Sequence, residues 1–126
     1  MFDLNPMRIL ILIICISNIV GNAVATHLHP ESAYRDAWCM GKTEVQMPNG
    51  NRADCITTNY AVEVEFAKKY HEGVGQALDY AQQTGKKPAI LLIIEEVKDW
   101  RFYNRLKPLA DEYDIRLWYI TPRSLE

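Results

Sequence analysis

The sequence is poor in cysteine, in clustered basic residues and in long apolar runs. Its three cysteines form neither a CxxC pair nor a Cys/His spacing of the zinc-binding kind, which argues against a structural zinc centre. Tandem repeats and low-complexity segments are also absent, and 126 residues are a length for one domain. A formal net charge of −2 argues against tight non-specific binding to DNA.

One apolar run is present, near the N-terminus, where residues 9–20 follow Arg8. It falls short of the roughly 20 apolar residues that a membrane span needs. An Ala-x-Ala motif ending at Ala25 follows, and this order predicts a secretory signal peptide over residues 1–25. We therefore expect a single periplasmic or secreted domain over residues 26–126, without stable membrane association once the signal is cut. An uncleaved anchor is the alternative.

Cleavage after the signal would remove one cysteine and leave Cys39 and Cys55. In an oxidising compartment an even number of cysteines favours a disulfide. Cys39 falls near the end of a predicted first helix, and Cys55 faces the side of a strand that this helix should cover. Two buried free thiols, packed as small hydrophobic side chains, are the alternative.

Short segments rich in β-branched and aromatic residues predict three consecutive strands. Turn-forming residues separate them, namely Pro48-Asn-Gly-Asn51 and then Thr58-Asn59. The predicted strands are Thr43–Met47, Arg52–Thr58 and Tyr60–Phe66.

Carboxylates alternate with apolar residues on the third of these strands. Glu63 and Glu65 share one face, and Asp54 on the neighbouring strand points the same way if the register agrees. Three carboxylates on one patch suit a hard cation such as Mg²⁺ or Mn²⁺, which takes oxygen ligands. An ordinary sheet with one solvated face is the alternative.

Helical and strand patterns alternate through the rest of the chain. A second helix between the third and fourth strands makes a βαβ unit, so those strands should be parallel. The second helix should bury Val74, Ala77, Leu78 and Ala81, and Pro108 should bend or interrupt the third. The predicted helices are Glu31–Met40, Lys68–Thr84 and Asp99–Tyr113, and the later strands are Ala89–Ile94 and Ile115–Ile120.

From about Tyr34 to Ile120 this order of elements resembles the PD-(D/E)xK nuclease superfamily. Asp54 matches the family's first acidic residue, and Glu63-Val-Glu65 matches its Glu-x-Lys motif, with Glu65 in the lysine position. Some restriction endonucleases of the superfamily carry Glu-x-Glu. The resemblance implies an α/β fold with an αβββαβ restriction-endonuclease-like core, a mixed central sheet flanked by helices.

The resemblance also implies residue roles. Catalysis would fall to Asp54, Glu63, Glu65 and Lys68. The metal, Mg²⁺ or Mn²⁺, would be held by Glu44, Asp54 and Glu63. Gln76-Ala-Leu-Asp-Tyr80 matches a Gln-x-x-x-Tyr helix motif of a branch similar to recombination exonucleases, so substrate binding would fall to Gln76, Tyr80 and Lys69.

The expected function is a metal-dependent nuclease acting on DNA. A domain of this size could bind duplex DNA as a homodimer, and the sequence does not decide this point. The rival hypothesis is a catalytically silent member of the same fold that serves as an exported binding module. The glutamate in the lysine position and the absence of a basic surface favour that rival. A redox or metal-sensing thiol protein is a third hypothesis, with only the two cysteines behind it.

Overall fold

The computed structural model describes residues 26–126, so the predicted signal peptide lies outside the described residues. These residues form α-helices and β-strands in the order α1-β1-β2-β3-α2-β4-α3-β5. The helices are α1 (Glu31–Trp38), α2 (Tyr70–Thr84) and α3 (Trp100–Glu112). The strands are β1 (Lys42–Gln46), β2 (Arg52–Ile56), β3 (Tyr60–Phe66), β4 (Lys87–Ile93) and β5 (Arg116–Ile120).

The five strands form one mixed sheet in sequence order. β1, β2 and β3 pair antiparallel, whereas β3, β4 and β5 pair parallel. The antiparallel strands follow from the short turns, and the parallel ones from the helical crossovers α2 and α3. The predicted α/β class, mixed sheet and parallel βαβ unit are thus confirmed.

Helices cover the two faces of the sheet unequally. α1 covers one face, where Tyr34 packs with Cys55, Val62, Val64 and Leu91 in a cluster of buried side chains. The helices α2 and α3 cover the other face, against the alternate side chains of β4. β4 is buried on both faces, as its continuous apolar run predicts.

A disulfide joins Cys39, just past the end of α1, to Cys55 on β2, with 6.0 Å between their Cα atoms. The predicted pairing is confirmed, because the side chain of Cys55 faces the sheet surface that α1 covers. Closing a loop of 16 residues contributes about 3 kcal/mol to stability. A bond of this kind persists in oxidising compartments.

Helix α2 differs from its prediction. A 3₁₀ turn over Ala67–Lys69 precedes it, and its buried residues are Tyr70, Gly73, Ala77 and Tyr80. Leu78, expected inside, is 43% exposed. Of the other residues expected inside, Ala77 is fully buried and Val74 packs against the core. Apolarity alone misplaced Leu78 and missed Gly73 and the two tyrosines, because the buried side of α2 uses small residues and tyrosines.

Helix α3 continues through Pro108, so the predicted interruption does not occur. Pro108 and Asn104, whose carbonyl would have accepted the missing N–H, both lie on the exposed side of the helix. Water can therefore satisfy that carbonyl. No helix among residues 26–126 is long and apolar enough to cross a bilayer.

Candidate active site

Strands β2 and β3 separate where the candidate site begins. Their register pairs Cys55 with Val62 and Ile56 with Ala61, so the next pair would be Asp54 with Glu63. The ladder stops there, and Asp54 Oδ2 accepts the Val64 N–H at 2.8 Å. A short acidic side chain thus replaces a backbone carbonyl and is fixed between the two strands.

Glu63 and Glu65 point to the α2 face of the sheet, whereas Val62 and Val64 point to the α1 face. The predicted alternation is confirmed, but the acidic face is covered rather than solvated. Glu63 is only 3% exposed and Glu65 only 6%. Both carboxylates therefore lie beneath the helix that follows their strand.

Gly73 allows α2 to lie directly on the two glutamates. A Cβ at this position would stand 3.4 Å from the Cβ of Glu65 and 4.0 Å from the Cγ of Glu63. The neighbours of this glycine are thus the two glutamates of β3.

Gln76 and Tyr80, one turn apart on α2, both reach the same carboxylate. With its amide NH₂ facing Glu63, Gln76 donates to Oε1 at 2.7 Å and to Oε2 at 3.2 Å. The Tyr80 hydroxyl lies 3.1 Å from that amide nitrogen. Burial, and then the charge of Glu63, raise the pKa of Tyr80. The Gln-x-x-x-Tyr spacing thus places both side chains beside the carboxyl group of Glu63.

Glu31, in the first turn of α1, is a fourth acidic residue beside Asp54, Glu63 and Glu65. Burial first, and then the nearby charges of Asp54 and Glu65, raise its pKa to about 7. The sequence prediction missed this residue and assigned an acidic residue after the helix instead. The available signal was a glutamate at the first position of the first helix.

The four acidic residues, hereafter the acidic cluster, are Glu31, Asp54, Glu63 and Glu65. Burial is the largest cause that raises the pKa of Glu63 to about 10, followed by the charge of Asp54 and a hydrogen bond shared with it. Burial also raises the pKa of Glu65, against the opposing effect of the Phe66 N–H. The surroundings of both glutamates therefore favour the protonated, neutral carboxyl over the charged one.

The two lysines after β3 differ in what they face. The charge of Lys69 opposes the rise in the pKa of Glu31 and of Glu65, so this cation lies near the acidic cluster. Lys68, the predicted catalytic lysine, lines a neighbouring cavity that Lys69 also borders.

Glu44, predicted as a metal ligand, pairs with arginines instead. Its Oε1 accepts a hydrogen bond from Arg35 at 2.9 Å, and its Oε2 lies 4.0 Å from Arg52. Its φ of 50° is left-handed and breaks the regular strand geometry opposite Asp54. The structure therefore brings together Asp54, Glu63 and Glu65 with Gln76 and Tyr80, while Glu44 stays with its arginine partners.

No group of three or more His, Cys, Asp or Glu residues within 26–126 is arranged to hold a metal ion. The predicted trio of Glu44, Asp54 and Glu63 is accordingly not assembled. The remaining pair, Asp54 and Glu63, still suits Mg²⁺, which commonly takes one or two protein carboxylates and completes its shell with water and substrate phosphate. The chemistry of the donor set thus fits a hard divalent cation.

Comparison of the chain with protein-family models, with curated proteins and with solved structures finds no match in any of the three. The arrangement of the residues is therefore the basis for assigning a function.

Proposed function

We propose that the chain is a metal-dependent nuclease of the PD-(D/E)xK kind, which hydrolyses phosphodiester bonds in DNA and works outside the cytoplasm. The observation that carries the proposal is the acidic cluster. Asp54, Glu63 and Glu65 come from adjoining strands and meet beneath α2, where burial and mutual repulsion raise the pKa values of both glutamates. A bound cation would relieve that repulsion.

The order of elements also supports the proposal. One helix, three antiparallel strands, a crossover helix and a parallel strand reproduce the αβββαβ order that the resemblance implies. Asp54 lies on the second strand and Glu63 and Glu65 on the third, as in the family's motif.

Asp54 and Glu63 would hold Mg²⁺ or Mn²⁺, with the Val64 carbonyl nearby on the same strand. Such an ion, when bound, lowers the pKa of a coordinated water and stabilises negative charge on the phosphate. Glu63 would have to give up its proton to act as a ligand, so binding should strengthen as pH rises.

The other side chains have roles that follow from their positions. Glu65, with a raised pKa, would accept the proton of the attacking water. Lys69 would offset charge on the phosphate, which is the role usually filled by the motif lysine. Gln76 and Tyr80 would fix the position of the β3 carboxylates, and in this way they would position the substrate backbone. Glu31, which lies near Asp54 and Glu65, would contribute through a bound water molecule.

The test is cleavage of plasmid and single-stranded DNA with Mg²⁺, with Mn²⁺ and with EDTA. The Asp54→Ala/Glu63→Ala double variant should lose activity, and Glu31→Ala should reduce it. Glu44→Ala is the matched control, since it removes a carboxylate already paired with arginines. Metal-independent cleavage, or full activity in the double variant, would contradict the proposal.

A catalytically silent binding module is the second candidate. It is favoured by Glu65 in the lysine position and by the lack of a three-residue metal group among residues 26–126. Folded protein that neither cleaves DNA nor gains thermal stability from Mg²⁺ or Mn²⁺ at pH 8 would reject the nuclease and favour this candidate.

A further inference from the structure

A cavity of about 340 Å³ opens beside the acidic cluster. We call it the Phe66 cavity, and it is lined by His27, Phe66, Lys68, Lys69, His71 and Glu72. Its volume is at the small end of the roughly 300–1,000 Å³ of ligand pockets, a size for one small molecule or one residue of a polymer.

Two pairs of packed rings border the cavity. The His27 and Phe66 rings lie nearly parallel, 9° apart with centroids separated by 3.5 Å, so they stack directly on each other. His71, which also lines the cavity, packs on Tyr70 at a tilt of 31° with centroids 3.9 Å apart. The outer face of a ring stack suits a flat aromatic ligand, because nucleobases stack on aromatic side chains in a sequence-tolerant way.

The His27 ring is held in place before any ligand binds. Its Nδ1 lies 2.8 Å from Glu95 Oε2, and Glu95 Oε1 accepts the N–H groups of Leu28 and His29 at 3.0 and 3.3 Å. The Tyr34 hydroxyl donates to the same Oε1 at 2.8 Å. One carboxylate thus fixes the start of the described chain, and a preformed stacking surface loses less entropy on binding.

The charges around the cavity suit an anion attached to that flat group. Lys68 and Lys69 border it, and among residues 26–126 Glu72 is the one acidic residue of the lining. The charge of Lys69 also acts on Glu31 and Glu65, so this lysine lies near both the cavity and the acidic cluster. Phe66 follows Glu65 directly, and its N–H donates to that carboxylate at 2.9 Å.

We infer that the Phe66 cavity is a subsite for one nucleotide of a single-stranded or frayed nucleic acid, with the base extending the stack of the His27 and Phe66 rings and the phosphate on Lys68 and Lys69. The inference rests on the proposed nuclease function and extends it. A duplex would not present one base to this cavity, so the substrate class is a strand end or an unpaired segment.

The experiment measures binding of adenosine 5′-monophosphate to the purified protein in EDTA by calorimetry, with inorganic phosphate and adenosine as separate ligands. The monophosphate should bind at least about tenfold more tightly than either part, because base stacking adds to the ion pair. Equal affinity for phosphate and for the monophosphate would overturn the inference.

Variants place the ligand. Phe66→Leu keeps an apolar side chain but removes the ring, and it should weaken the monophosphate by about tenfold while leaving phosphate unchanged. Lys68→Ala should weaken both ligands, and Lys42→Ala, an exposed lysine elsewhere, neither. Unchanged binding in both Phe66→Leu and Lys68→Ala would place the ligand outside the cavity and overturn the inference.

A single-stranded trinucleotide should displace the monophosphate, whereas a blunt duplex should not. Failure of the trinucleotide to compete would mean a pocket for free nucleotides, which overturns the substrate assignment. Cleavage plays no part in these measurements, so binding without any nuclease activity would reject the proposed function and keep the site. Nuclease activity without binding would do the reverse.

Discussion

The two faces of strand β3 consist of alternate residues along the strand, and they differ in whether they bury apolar or ionisable side chains. Val62 and Val64 are fully buried against α1, beside the disulfide. Glu63 and Glu65 are nearly as buried beneath α2, yet they are ionisable. One face lowers the free energy of the fold by burying apolar surface, and the other raises it by burying carboxylates.

This difference separates the face of the strand that stabilises the fold from the face that we propose binds a ligand. A strand that needed only stability would carry apolar residues on both faces, as β4 does. Buried carboxylates that raise each other's pKa persist where function requires them, which is why strongly shifted groups mark candidate sites. The contrast gives an ordered set of expectations.

Placing a carboxylate on the apolar face should have the largest effect. Val62→Glu would bury a charge that has no partner, at a cost of more than about 4 kcal/mol. We expect loss of the cooperative thermal transition, or a very low midpoint, by circular dichroism. Val62→Thr is the control of similar shape and should remain folded. A Val62→Glu protein that melts within a few degrees of the parent would show that water can reach this face of the sheet.

Removing the disulfide should have the next largest effect. Cys39→Ser/Cys55→Ser opens a loop of 16 residues and should cost about 3 kcal/mol, which lowers the melting temperature by roughly 10–20 °C. A reducing agent should lower the melting temperature of the parent by a similar amount and leave the double variant unchanged. Equal melting temperatures for parent and double variant would rule out the bond as a stabilising link.

Neutralising the acidic face should stabilise the protein, in contrast to the two changes above. The pKa of Glu63 is raised from 4.5 to about 10 by burial and by Asp54, so the folded state holds a proton that the unfolded state releases. Its contribution is fully present below about pH 4.5 and is lost as pH rises toward 10. Glu63→Gln should therefore gain about 1–2 kcal/mol at pH 9 and little at pH 4.5.

Thermal melts in EDTA from pH 4.5 to 9 check this expectation. The melting temperature of the parent should fall as pH rises, and that of the Glu63→Gln variant should fall less. Glu44→Gln is the matched control and should not flatten the curve, because Glu44 is exposed and paired with arginines. A steeper decline in Glu63→Gln than in the parent would contradict the assignment of the buried proton.

The sequence predicts most of the fold and part of the site. Alternation along β3 and the apolar run of β4 suffice for the mixed sheet, because periodicity reflects burial directly. The buried stripe of α2 was predicted in part, correctly at Ala77 and wrongly at Leu78, since Gly73 and Tyr80 carry little apolar signal. Glu31 was missed because its approach to Asp54 depends on how α1 lies against the sheet. Such packing between distant segments leaves no local pattern.

Two glycines of α2 offer the smallest and most local test of the comparison. Gly75 has nothing within 4 Å of an added Cβ, so Gly75→Ala should gain about 0.5–1 kcal/mol through helix propensity alone. At Gly73 the same Cβ would touch Glu65 at 3.4 Å, which is ordinary packing contact but buries this carboxyl group further. Gly73→Ala should therefore stabilise less than Gly75→Ala in EDTA at pH 9, and the difference should shrink at pH 4.5, where more of Glu65 is protonated because burial raises its pKa. Equal gains at both pH values would mean that α2 does not desolvate the acidic row of β3, and that the raised pKa values have another origin.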